Sequence, residues 1–208
     1  MRSVPVDTRA VDKFLARSHR LELVVSIRRE RGTSMSSFDA VTLKYLDLAV
    51  ELERNTNEFY VTAWEKVKDP NMKRLLSSLT DHETGHLESV AKVRDLYAAK
   101  QTAQVKAAAA KLKVHRPKNP FRGMKQIEKL TRPGAEMLDV FKEAAALEQK
   151  AHEFYLEAAE YAQGAFIKAY LRKLAKEETY HKNFIEAQQE AVCSGGYWLG
   201  IDHVKLEP

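Results

Sequence analysis

Shifting the chain by 95 residues lays Ala49, Leu52 and Glu53 on Ala144, Leu147 and Glu148, and Glu58-Phe59-Tyr60 on Glu153-Phe154-Tyr155. The register continues through Ala63 on Ala158, Glu65 on Glu160, Leu76 and Leu79 on Leu171 and Leu174, and Glu83-Thr84-x-His86 on Glu178-Thr179-x-His181. Over 49–86 this amounts to 14 identities in 38 positions at one offset. A repeat of that length is one supersecondary unit used twice. Whatever the first copy folds into, the second must fold into as well.

The unit reads as a helical hairpin. Leu43, Leu46, Ala49, Val50, Leu52, Phe59 and Tyr60 recur at roughly helical spacing, and the run stops near Lys68. Asp69-Pro70 restarts the chain, because an Asp cap oxygen takes orphan N–H groups and Pro in the first turn has none to satisfy. A second helix follows through Met72, Leu75, Leu76, Leu79, Val90, Val93 and Leu96. The second copy predicts helices near 134–162 and 165–192, broken at Gln163-Gly164 and closed by Gly195-Gly196. Scarce Gly (8) and Pro (6) beside abundant Ala, Leu, Glu and Lys agree with an all-α chain.

Between the copies, Ala107–Ala110 can prolong the second helix, and Arg116-Pro117-Lys118-Asn119-Pro120 ends it before Arg132-Pro133-Gly134 leads into the third. A connector that long can run the length of a bundle, which fits a four-helix bundle with one long crossover. Residues 1–34 and 195–208 belong to neither repeat. The first carries eight Arg/Lys against four Asp/Glu, so most of the net +5 sits there and the bundle is nearly neutral. Its charges are interspersed rather than blocked, which predicts a solvated extension and no nucleic-acid partner. Met35-Ser36-Ser37 before the first helix resembles a natural start, so the bundle is expected to stand without it.

No run approaches the length of a membrane span, and the N-terminus lacks a secretory apolar core, so a cytoplasmic protein with no membrane partner is expected. Asp7, Asp12, Glu22 and Glu30 speak against a mitochondrial presequence despite Arg2, Arg9, Arg17 and Arg20. The single cysteine, Cys193, excludes an intrachain disulfide and a four-cysteine iron or zinc knuckle.

Glu83 and His86 lie three residues apart, about 60° of rotation and 4.5 Å of rise on a helix, so both can reach one metal ion. Glu178 and His181 do the same. Glu53 and Glu83 stand about equally far from the turn of their hairpin, as do Glu148 and Glu178 from theirs. Packing the hairpins together therefore brings four carboxylates and two imidazoles to one layer, and such ligands suit Fe(II) or Mn(II). Without cations the layer would carry heavy desolvation and repulsion costs.

These residues resemble the rubrerythrin branch of the ferritin-like superfamily, whose halves each offer a Glu, a Tyr seven residues on, and a later Glu-x-x-His. Glu53, Tyr60, Glu83 and His86 make one set, and Glu148, Tyr155, Glu178 and His181 the other. The resemblance covers about 38–192 and implies a ferritin-like fold over 35–194. It also implies two bound iron ions and reaction with hydrogen peroxide or oxygen in a homodimer. Many rubrerythrins carry a further Glu three residues after the third-helix ligand, where Ala151 stands here. They often add a rubredoxin domain that needs four cysteines, so electrons are expected from a separate protein. A ferroxidase for iron storage or detoxification and a non-catalytic metal-binding module are the rival readings.

Tyr60 and Tyr155 fall about two turns beyond Glu53 and Glu148, placed to hydrogen-bond cluster carboxylates or to fill the core. His152, one turn after Glu148, can occupy part of the space left by Ala151 or lie toward the surface. His82 and His86 have a zinc-like spacing, but the repeat has Glu177 in place of His82, so the Glu83/His86 pairing is preferred. Glu51, Glu58, Glu65, Glu153 and Glu160 fall off the ligand face. Trp64 and Trp198 are expected to pack, and Cys193 to be an idle or structural thiol.

Overall fold

The structure, a computed structural model, describes residues 37–100, 103, 104, 107, 109, 135–195, 198 and 199. The basic extension, most of the connector and most of the C-terminal segment lie outside these. Four helices make up the described chain: α1 (Ser37–Lys66), α2 (Pro70–Ala98), α3 (Ala135–Tyr161) and α4 (Ala165–Glu190), followed by a π-helical turn at Ala191–Gly195. The expected breaks hold. An Asp69 carboxylate oxygen accepts from the N–H groups of Asn71 (2.9 Å) and Met72 (2.8 Å) at the start of α2. Gly164 turns the chain into α4 at φ 88°, a conformation that a Cβ disfavours.

The alanine run is helical at Ala107 and Ala109 but does not prolong α2. A turn at Ala99-Lys100, with Lys100 at φ 54°, separates them.

α1 packs on α2 and α3 on α4, so each repeat is a hairpin, and α1 meets α3 across the hairpins. Side-chain pairs set the directions. Tyr45 bonds Glu157 (2.9 Å) and stacks on Tyr161, whereas Tyr60 reaches Glu148, so α1 and α3 run antiparallel. Ser89 with Tyr170 and His82 with His181 make α2 and α4 antiparallel too. The order is up, down, down, up. The end of α2 and the start of α3 thus lie at opposite ends of a bundle about 40 Å long.

Two apolar clusters fill the interior. One gathers Leu46, Ala49, Leu52, Val90, Val93, Leu171 and Leu174; the other Phe59, Met72, Leu75, Leu76, Leu79, Phe141, Leu147 and Ile185. The charged layer lies between them and is sealed from both ends.

The two tryptophans part ways. Trp198 is buried against Phe141, and beside it Gln188 clasps Leu199, donating to its carbonyl and accepting from its N–H at 3.0 Å each. The bundle core therefore takes in residues beyond Gly195 that lack the helical period. Trp64, expected to pack, is 42% exposed with the Lys73 ammonium 4.0 Å above its ring. Its flat face serves a cation instead.

Candidate metal centre

Helical register alone makes each Glu-x-x-His unit converge: on α2, Glu83 and His86 both point inward, as Glu178 and His181 do on α4. Glu53 on α1 and Glu148 on α3 complete the layer, and all six are buried. Glu51, Glu58, Glu65, Glu153 and Glu160 are exposed, as their places on the helices predict.

The carboxylates are not alike. Glu178 sets Oε1 3.3 Å from His86 Nδ1 and Oε2 3.4 Å from His181 Nδ1. Glu83 does likewise, with Oε2 3.8 Å from His86 Nδ1 and Oε1 2.9 Å from His181 Nδ1. Each of these two lies between both imidazoles. Glu53 meets only His86, its Oε2 at 3.8 Å from Nδ1, and Glu148 only His181, its Oε2 at 3.7 Å. Their other oxygens are taken: Tyr155 donates to Oε1 of Glu53, and Tyr60 to Oε1 of Glu148. Sequence spacing suggested a triad within each repeat; the fold shares Glu83 and Glu178 between the two halves.

Glu83 Oε1, His86 Nδ1, Glu148 Oε2, both oxygens of Glu178 and His181 Nδ1 are buried without a directed hydrogen bond. They approach one another to 2.9–3.7 Å as ion pairs. Buried polar atoms without a hydrogen bond are rare and need a reason, and six converging on one space are suited to a shared cation. Glu83, His86, Glu178 and His181 each offer an atom within 4.8 Å of the others, a group that could hold a metal ion. The oxygen and imidazole donors fit a first-row divalent ion.

Electrostatics without metal follow from burial. Burial, with the charge of Glu83, lifts the carboxyls of Glu53 and Glu148 well above the usual range. Glu83 and Glu178 are also buried, but His181 and His86 outweigh that and hold both below it. Burial disfavours charge on His86 and His181, yet the surrounding carboxylates raise both imidazoles well above 6.5. Burial and the adjacent carboxylates Glu148 and Glu53 raise Tyr60 and Tyr155, keeping both as hydroxyl donors. Without metal the layer therefore favours protons on Glu53, Glu148 and both imidazoles and ionisation of Glu83 and Glu178. Divalent ions would replace them.

His152 does not fill the space beside Ala151. Its Nδ1 lies 2.7 Å from the Ala175 carbonyl and 2.9 Å from Thr179 Oγ1, and Ala151 is buried among apolar neighbours. His82, set aside in favour of Glu83 on sequence symmetry, proves to touch the layer: its Nδ1 lies 2.9 Å from His181 Nε2. The His82/Glu177 mismatch between otherwise matching motifs was the signal. Cys193 is exposed. Among the described residues no helix is long and apolar enough to cross a membrane.

No protein-family model, curated protein or solved structure matches the chain.

Proposed function

We propose that the chain is a non-haem di-iron oxidoreductase of the rubrerythrin type, reducing hydrogen peroxide to water with electrons from a separate donor protein. One observation carries the reading: four buried carboxylates and two imidazoles, in two repeat-related sets, converge on one layer where six of their atoms meet only one another, as ion pairs without a hydrogen bond. Two carboxylates with an oxygen toward each imidazole suit bridging of two ions, and two with one free oxygen suit terminal binding.

Bound ferrous ions would supply the two electrons that cleave the peroxide O–O bond, two protons being taken up as two waters form. Glu53, Glu148, Glu83 and Glu178 hold the ions and absorb the charge change. Tyr60 and Tyr155 keep a proton at the outer oxygens of Glu148 and Glu53 and so fix which oxygen faces the centre. The apolar clusters on either side exclude water. Residues 35–194 are proposed as the iron-binding domain, with 1–34 dispensable for it.

A ferroxidase is the second reading, and Ala151 favours it. The family's extra carboxylate is missing there, and His152, turned to Ala175 and Thr179, does not replace it. Stopped-flow oxidation of the diferrous protein by each oxidant separates the two. The peroxidase reading expects much faster oxidation by peroxide than by oxygen and repeated re-reduction at constant iron. Faster reaction with oxygen, with ferric iron building up beyond two per chain after excess Fe(II), would replace it with the ferroxidase.

A further inference from the structure

Both liganding imidazoles turn Nδ1 to the carboxylate layer, but among the described residues only His181 has another imidazole at its far nitrogen. His82 Nδ1 lies 2.9 Å from His181 Nε2, with ring centroids 5.0 Å apart. A metal on His181 Nδ1 requires that nitrogen to be unprotonated, which places the ring proton on Nε2. The proton then points at His82 Nδ1, and His82 must itself carry its proton on Nε2. One hydrogen bond thereby sets the tautomer and ring orientation of His181.

The repeat breaks at this point. Position 82 is the residue just before the Glu-x-x-His of α2, and the corresponding residue on α4 is Glu177, a buried carboxylate. The six liganding residues are matched pairwise, and so are Tyr60 and Tyr155, whereas His82 and Glu177 are not. His181 thus meets an imidazole that the repeat does not supply to the other half of the centre, so the two halves are not equivalent.

Resting on the di-metal reading above, we propose that His82 is a positioning residue for His181. It makes the position built from His181 and Glu148 chemically distinct from the one built from His86 and Glu53. Removing a group that orients a metal-bound histidine typically weakens metal affinity about 10–100-fold, and here the loss falls on one position only.

The test is titration of metal-free, full-length protein with Co(II), followed by visible absorption against a competing chelator. Wild-type protein is expected to bind two ions in two distinguishable steps. In His82→Ala one step weakens about 10–100-fold while the other holds. His82→Asn, whose Oδ1 can stand where Nδ1 stood, restores wild-type binding, which a general packing defect would not allow. Equal steps in the wild type, equal loss at both steps in His82→Ala, no loss at all, or His82→Asn behaving as His82→Ala would each overturn the proposal. Wild-type protein that binds no Co(II) removes the metal centre and this role together; two ions bound with His82→Ala unchanged removes the His82 role alone.

Discussion

Tyr60 on α1 donates its hydroxyl to Oε1 of Glu148 on α3, a carboxylate of the other hairpin, while Tyr155 makes the reciprocal bond to Glu53. The crossed pair joins the two repeats at the layer where charge is concentrated. All four side chains are essentially inaccessible, so no water can substitute for a lost hydroxyl.

Tyr60→Phe and Tyr155→Phe should therefore each lower the unfolding free energy of metal-free protein by about 1–3 kcal/mol, the range for stranding a buried polar partner. Urea denaturation measures it. Phe keeps the ring packing, so losses under about 0.5 kcal/mol would mean that these hydroxyls hold nothing in place.

Metal counting distinguishes shared from terminal carboxylates. Glu83→Ala and Glu178→Ala should drop the metal content from about two ions per chain to near none, since each lies between both imidazoles. Glu53→Ala and Glu148→Ala touch one imidazole each and should weaken mainly one ion. Exposed Glu51→Ala should change nothing. Elemental analysis after reconstitution decides it, and equal effects from all four layer substitutions would refute the division of roles.

The pH dependence of stability has a defined sign. Glu53 and Glu148 bind protons more tightly when folded than at their ordinary 4.5, and His86 and His181 more tightly than at 6.5. The metal-free native state thus holds more protons than the unfolded chain above those values, and its stability falls as pH rises. Glu83 and Glu178, held low, act oppositely, losing stability as pH falls below 4.5. Metal-free protein should melt highest near pH 4.5, where the two opposing pairs of carboxyls meet, and lose Tm as pH rises toward about 9. Metal-loaded protein should keep or gain Tm over the same rise, because protons no longer compete for the ligands. Scanning calorimetry of both forms checks this, and parallel curves would count against it.

Gly85 stands in the middle of α2 between Glu83 and His86, and a Cβ built there meets nothing within 4 Å. No close approach requires glycine at this exposed position. Gly85→Ala should stabilise the metal-free protein by about 0.5–1 kcal/mol, the difference in helix propensity. A destabilised variant would reveal a constraint on this turn that the geometry does not contain.

The sequence by itself determined what depends on local spacing. Apolar period, the Asp69-Pro70 cap and the Gln163-Gly164 break set the helices, because backbone hydrogen bonding and capping act within a few residues. The repeat set the two hairpins, and three-residue spacing put each Glu beside its His. Only the tertiary structure decided relations between elements. Which carboxylates are shared, that each Tyr serves the opposite hairpin, that His82 meets His181 and that Trp198 closes the core all depend on how helix faces rotate and slide past one another. Those rotations are set by side-chain interdigitation across the whole interior. A repeat aligned to itself shows which positions match, but not which partner each will face.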